Sequence, residues 1–145
     1  MYEGQRSSIL LKVFNIVPNL SFSDLETGFE FPSAEFAPDK KTVEKYLSAV
    51  EGPEHDCIPP LAVSALALIS LTESISLPPG SIHASQEFNF LKPVPIGTKL
   101  SCKTIVARKT ARSSMNMLVL EMNVFDTDGE KVQSGKTTII LPAMK

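Results

Sequence analysis

Residues 59–77 read PPLAVSALALISLTESISL, and this stretch decides the fold. Glu73 is its only ionised residue. Pro59 and Pro60 open it, and Pro78, Pro79 and Gly80 come after it. Pro60 suits the first helical position, where the missing N–H costs nothing. The length, the alanines and leucines, and the stop signal predict a helix rather than a strand. Leu61, Ala65, Leu68, Ile69 and Ile75 are expected to form one stripe, while Ala62, Val63, Leu66 and Ala67 fill much of the remaining surface. A helix that is apolar nearly all round must be wrapped by other elements. Serines throughout the run, and Glu73 within it, argue against a membrane span.

The wrapping comes next in the chain. After Gly80 the apolar period changes from helical to two. In 81–91, Ile82, Ala84, Phe88 and Phe90 alternate with His83, Ser85, Glu87 and Asn89, which predicts a half-buried strand. The connection KPVPIG at 92–97 cannot lie inside a sheet. A second strand is expected over 98–107, with Leu100, Cys102, Thr104 and Val106 on one face, then a basic turn at 108–114. A third strand spans 115–125 with Leu118, Leu120, Met122 and Val124 aligned. Asp126-Thr127-Asp128-Gly129 is a hairpin signal, and 131–141 returns as a fourth strand that Pro142 ends. The methionines at 115, 117 and 122 suit a core or subunit interface better than a ligand pocket. The class is α+β: an antiparallel sheet wrapped round one long helix.

Upstream, residues 1–20 carry a short apolar patch that is a strand or a docked arm. A short strand is expected within GFEFPSAEF at 28–36, broken near Pro32. Asp39 is a good helix N-cap; Val43, Tyr46, Leu47 and Val50 then recur at helical spacing until Gly52 and Pro53. The loop EGPEHDCI at 51–58 leads into the central helix.

A chain of 145 residues fits one domain, expected over 21–145. A formal net charge of −2 gives no reason to expect nucleic-acid binding. Cys57 and Cys102 have neither zinc-type spacing nor partners for a disulfide framework. The start, MYEGQRSSILLKVFNIVPNL, lacks the pattern of a signal peptide, so a cytoplasmic setting is expected.

This order of elements resembles the hotdog fold, and locally the MaoC-like hydratases and dehydratases. Tyr46-Leu47-Ser48-Ala49-Val50 is similar to the helix end before that family's active-site loop. Ile58-Pro59-Pro60-Leu61 is similar to the start of its central helix. His83-Ala84-Ser85-Gln86-Glu87-Phe88, with the run from Lys92 to Thr98, resembles its strand, proline turn and glycine, and the hairpin from Val124 to Val132 is also typical. The resemblance implies an acyl thioester ligand, carried on coenzyme A or acyl carrier protein, and no cofactor or metal. It implies a dimer, of two copies or with a second hotdog chain. It also implies a substrate channel beside Ile58, Pro60, Leu61, Ala62 and Val63, at the subunit interface.

One departure bears on activity. Active members carry an Asp and a His in a Gly-Asp-x-Asn-Pro-x-His motif, which activates the water added to or lost from the acyl chain. Aligned on Tyr46, the glycine position holds Glu51 and the Asp position holds Gly52, and no Asn-Pro-x-His comes after them. The expected function is therefore a non-catalytic, thioester-binding hydratase-like subunit. The alternative is an active (R)-specific enoyl-thioester hydratase or hydroxyacyl dehydratase using His55 with Glu54 or Asp56. A thioesterase using Glu73 ranks lower, because that carboxylate lies far down the helix from the channel.

Glu54, His55 and Asp56 are weighed against a plain solvated loop and a metal site. Neighbours in sequence usually point apart, which favours the solvated loop. His83 is expected to be an ordinary surface or interface residue. Arg108, Lys109 and Arg112 suit the phosphates of coenzyme A or an acidic carrier protein, with a charged hairpin turn as the blander reading. The family's oxyanion is met by a helix-start N–H. Pro60 has none to give, which leaves the amides of Leu61 and Ala62.

Overall fold

The structure, a computed structural model, describes residues 19–143. The apolar patch read as an arm or strand over residues 1–20 lies almost wholly outside them; only its end, Asn19 and Leu20, is described. The first element is a single 3-10 turn, Phe22–Asp24. Strand β1 (Ala34–Phe36) is short and begins after Pro32. Helix α1 (Lys40–Val50) starts after Asp39, whose side chain accepts a hydrogen bond from the Thr42 N–H at 2.8 Å. That bond holds the Asp39 carboxyl below its ordinary value. Glu51 ends the helix in the left-handed region at φ 53°.

Helix α2 (Pro60–Ser74) is the predicted central helix, with Pro60 at its first position. Its buried residues are Ala62, Val63, Ser64, Ala67 and Leu71, with Ile75 just beyond its end. This face packs on a sheet of β1, β2 (Ile82–Phe90), β3 (Leu100–Ala111), β4 (Met115–Phe125) and β5 (Lys131–Pro142). The spatial order is β1-β3-β4-β5-β2, and every pairing is antiparallel. Leu100, Cys102, Val106, Leu118, Leu120, Met122, Val124 and Leu141 supply the sheet's share of the core. Each lies at an inward position of the period-two pattern, so the pattern alone carries them to one face. At the far end of α2, Leu20 bridges Ile75 and ties the start of the described chain to the helix.

Three expectations need correction. The stripe expected over Leu61, Ala65, Leu68, Ile69 and Ile75 is split, with Ile75 buried and Leu68 half-buried. Leu61 and Ile69 are 55% and 50% exposed, and Ala65 is exposed too. The buried side of the helix mixes the small Ala62, Ser64 and Ala67 with Val63 and Leu71. Strand β2 is mostly exposed rather than half-buried, because it is an edge strand with one neighbour, and a bulge between His83 and Ser85 breaks its alternation. Strand β3 continues through the expected basic turn to Ala111, so Arg108 and Lys109 are strand residues and the turn is confined to 112–114. A bulge between Val106 and Arg108 shifts the alternation there. Of the three methionines, Met122 is in the core and Met115 is 42% exposed on β4.

Candidate functional site

The loop between α1 and α2 sits at the N-terminal end of the central helix. Backbone bonds fix it to the proline connection after β2. The Ile58 N–H donates to the Val94 carbonyl at 2.7 Å, and the Ile96 N–H donates to the Asp56 carbonyl at 3.1 Å. Cys57 bridges Pro95. The connection is itself clamped to the β4–β5 hairpin. Lys92 pairs with Glu130 and with Asp126, the latter at 2.9 Å, and these bonds hold its ammonium pKa well above the ordinary value. The two proline-rich segments thus form one braced rim beside Pro60.

An apolar hollow of about 350 Å³ opens at this rim, lined by Leu47, Pro53, His55, Cys57, Pro60 and Pro93 among others. A second hollow, of about 610 Å³, lies on the α1 side of the loop and takes in Lys40, Glu44, Glu54, His55 and Asp56. His55 borders both, whereas Glu54 and Asp56 border only the second. All three side chains are exposed, and none takes part in an ion pair found among the described residues. No cluster of three metal-ligating side chains occurs among the described residues.

The candidate binding segment lies at the start of α2, and its Ile58 and Pro60 line the apolar hollow. Ile58, Ala62 and Val63 are buried; Pro60 and Leu61 are exposed. The Ala62 and Val63 N–H groups both donate to the Pro59 carbonyl, at 2.9 and 3.3 Å. Leu61 therefore carries the first N–H at this helix end that the turn does not use. A carbonyl oxygen placed there would meet a donor and the positive end of the helix together.

The remaining candidates lie elsewhere. Lys109 Nζ donates to the Leu25 carbonyl at 2.6 Å, pairs with Glu26 at 3.2 Å and lies over the Phe22 ring. Arg112 borders a cleft of about 570 Å³ with Ser21, Ser76 and Asn116, past the C-terminal end of α2. Arg108 is exposed on β3. A helix of this length spans about 22 Å, so within one chain Arg112 is remote from Ile58–Val63. Glu73 is exposed near that same far end, about 20 Å along the helix from Pro60. His83 lies on the edge strand, its Nε2 3.0 Å from Gln86 Oε1, which also accepts from the Thr137 hydroxyl at 2.6 Å.

Two buried polar residues near the rim escaped the sequence reading. Gln133 Nε2 donates to Ser64 Oγ and, at 3.4 Å, to the Pro60 carbonyl. The signal was available: Gln133 occupies an inward position of β5, in step with Thr137, Ile139 and Leu141.

No protein-family model matches the chain, and no curated protein does. Solved structures do. The (R)-hydratase PhaJ1 from Pseudomonas aeruginosa superposes with a TM-score of 0.74 at 17% identity, covering 87% of this chain and 88% of that one. A MaoC-like dehydratase from Rhodospirillum rubrum gives 0.73 at 18% identity, covering 88% and 99%. The HadBC (3R-hydroxyacyl-ACP dehydratase) complex from Mycobacterium tuberculosis gives 0.63 at 21% identity, covering 79% and 96%. Likeness at such identities is a statement about the fold: the chain is an α+β hotdog domain, built like the MaoC-like dehydratases and (R)-hydratases it is similar to.

Proposed function

We propose that the chain is an acyl-thioester-binding hotdog subunit that does not itself carry out hydration or dehydration. The observation that carries this reading is the helix start. An apolar hollow lined by Pro60 lies one residue from the unused Leu61 N–H, and Glu54, His55 and Asp56 of the loop beside it are solvent-exposed. A thioester needs an apolar room for its acyl chain and a donor for its carbonyl, and both are at hand. A hydratase needs in addition a positioned acid and base. Glu54, His55 and Asp56 stand on one short loop with no ion-pair partner among the described residues to orient them. The ligand is acyl-coenzyme A or acyl carrier protein. Calorimetric titration with acyl-coenzyme A of several chain lengths should give saturable binding. No binding at any length would leave an assembly role only.

The second part of the proposal is a hotdog partner. Among the described residues strand β2 has one free edge. Ile82, Phe90 and Leu91 on or just beyond it, with Leu61 and Ile69 on α2, are about half exposed. Open strand edges and exposed apolar side chains of this kind are covered in stable proteins. A dimer, of two copies or with a different hotdog chain, covers both. It also provides a route by which Arg108 and Arg112 of one subunit reach phosphates of a ligand held by the other. The similar HadBC structure is a complex, which agrees with a second hotdog chain as one such partner. Light scattering of the purified chain is expected to report about twice its 15.8 kDa mass, and a monomer at micromolar concentration would contradict the homodimer. Among the described residues no helix is long and apolar enough to cross a membrane.

A further inference from the structure

His55 and Cys57 line the same 350 Å³ hollow. The rest of its described lining is four prolines, Leu47 and Ile58. One imidazole and one thiol thus stand in a wall that is otherwise apolar. Cys57 is a free, half-buried thiol. The backbone that carries it is tied on both sides to the proline connection. The Ile96 N–H donates to the Asp56 carbonyl at 3.1 Å, the Ile58 N–H donates to the Val94 carbonyl at 2.7 Å, and Cys57 itself bridges Pro95.

The other cysteine is placed differently. Cys102 is 1% exposed in the core, and burial pushes its thiol up. Cys57 is therefore the thiol that a ligand in the hollow can reach. A thiolate is a strong nucleophile, and an imidazole beside it is a suitable base to free it from the thiol. A thioester carbonyl is the electrophile that such a pair attacks most readily among the groups an acyl carrier presents.

We propose that Cys57 accepts the acyl group of a thioester bound in this hollow, with His55 as the base, so that the chain acylates itself and releases free coenzyme A. The inference rests on the thioester reading above. The Cys57 thiol gives its proton to His55, and its sulfur attacks the thioester carbonyl carbon. The new carbon–sulfur bond forms, the bond to the coenzyme A sulfur breaks, and the departing sulfur takes the proton from His55. One thioester replaces another. The step is close to isoenergetic, needs no oxidant or reductant, and is driven forward by excess acyl-coenzyme A.

The test is the intact mass of the full chain over time in excess butyryl-coenzyme A, with calorimetric titration of the same ligand beside it. One butyryl group is expected to appear, to map to the peptide holding Cys57, and to be removed by neutral hydroxylamine as a thioester is. Cys57→Ala should abolish the adduct and Cys102→Ala should keep it. His55→Gln should slow it about tenfold or more, since a thiol ionises in part without help. Binding with no adduct would overturn this inference and leave the thioester reading standing. So would an adduct that forms no faster than on free N-acetylcysteine, that spreads over lysines, or that forms undiminished in His55→Gln. Neither binding nor adduct would overturn the thioester reading and this inference with it. If Cys57→Ala does not fold, the mapped position in the native chain decides alone.

Discussion

Crotonyl-coenzyme A mixed with the purified chain alone is expected to stay unhydrated, at a rate within about tenfold of buffer. A positioned acid or base is typically worth about 10²–10⁴-fold, so a subunit without both, as proposed, is left without most of an enzyme's advantage. His55 is exposed between two hollows, and Glu54 and Asp56 border only one of these. His55→Ala should therefore leave the rate where it was. Clear turnover by the native chain, abolished in His55→Ala, would assign the chemistry to this loop and refute the non-catalytic reading. Turnover that appears only when a second hotdog chain is added agrees with a partner that brings the acid and base. Loss of the absorbance of the conjugated thioester reports the reaction directly.

Leu71→Ala is expected to cost about 2–5 kcal/mol of folding stability, the range for a leucine removed from a close-packed core. Leu71 is 3% exposed on the sheet-facing side of α2, in one cluster with Leu118, Leu120 and Leu141. The sheet is hydrogen-bonded along its length and closes poorly on a vacated site, which places the cost above that of simple transfer from water. A total stability of about 5–15 kcal/mol makes such a loss a large shift in the urea midpoint. A loss under about 1 kcal/mol would mean that α2 is not clasped as described.

How much the sequence disclosed depended on which signal each element carries. Strand β4 was legible to the residue because Leu118, Leu120, Met122 and Val124 alternate without interruption and face the core. The central helix was legible from its prolines and its length. Its orientation was not. A helix apolar on nearly all sides has no preferred face, so the choice of Val63, Ala67 and Leu71 over Leu61, Ala65 and Ile69 comes from packing against the sheet. The bulges in β2 and β3 left no mark on composition. They shift the alternation at His83–Ser85 and at Val106–Arg108, so a pattern that assumes strict alternation assigns the residues beyond each bulge to the wrong face. Basic residues at 108–112 suggested a turn, yet Lys109 is held in the strand by the Leu25 carbonyl and Glu26, both distant in sequence.

The site divides in the same way. The position of the 51–58 loop beside the helix start was readable from chain order. The backbone bonds from Ile58 to Val94 and from Ile96 to Asp56, which brace it, join segments almost forty residues apart and have no local signature. The pairing of Ser64 with Gln133 is likewise a contact between a helix and a strand far along the chain. A glutamine at an inward strand position was its only trace.

The central claim is that an acyl thioester seats its carbonyl at the start of α2. The measurement that tests it most directly is the shift of backbone amide resonances as butyryl-coenzyme A is titrated into the isotope-labelled chain. The largest saturable shift is predicted at the Leu61 N–H, with smaller ones at Ile58, Ala62 and Val63. Saturable binding whose shifts avoid these amides and gather elsewhere, such as around Arg112 at the opposite end of the helix, would contradict it.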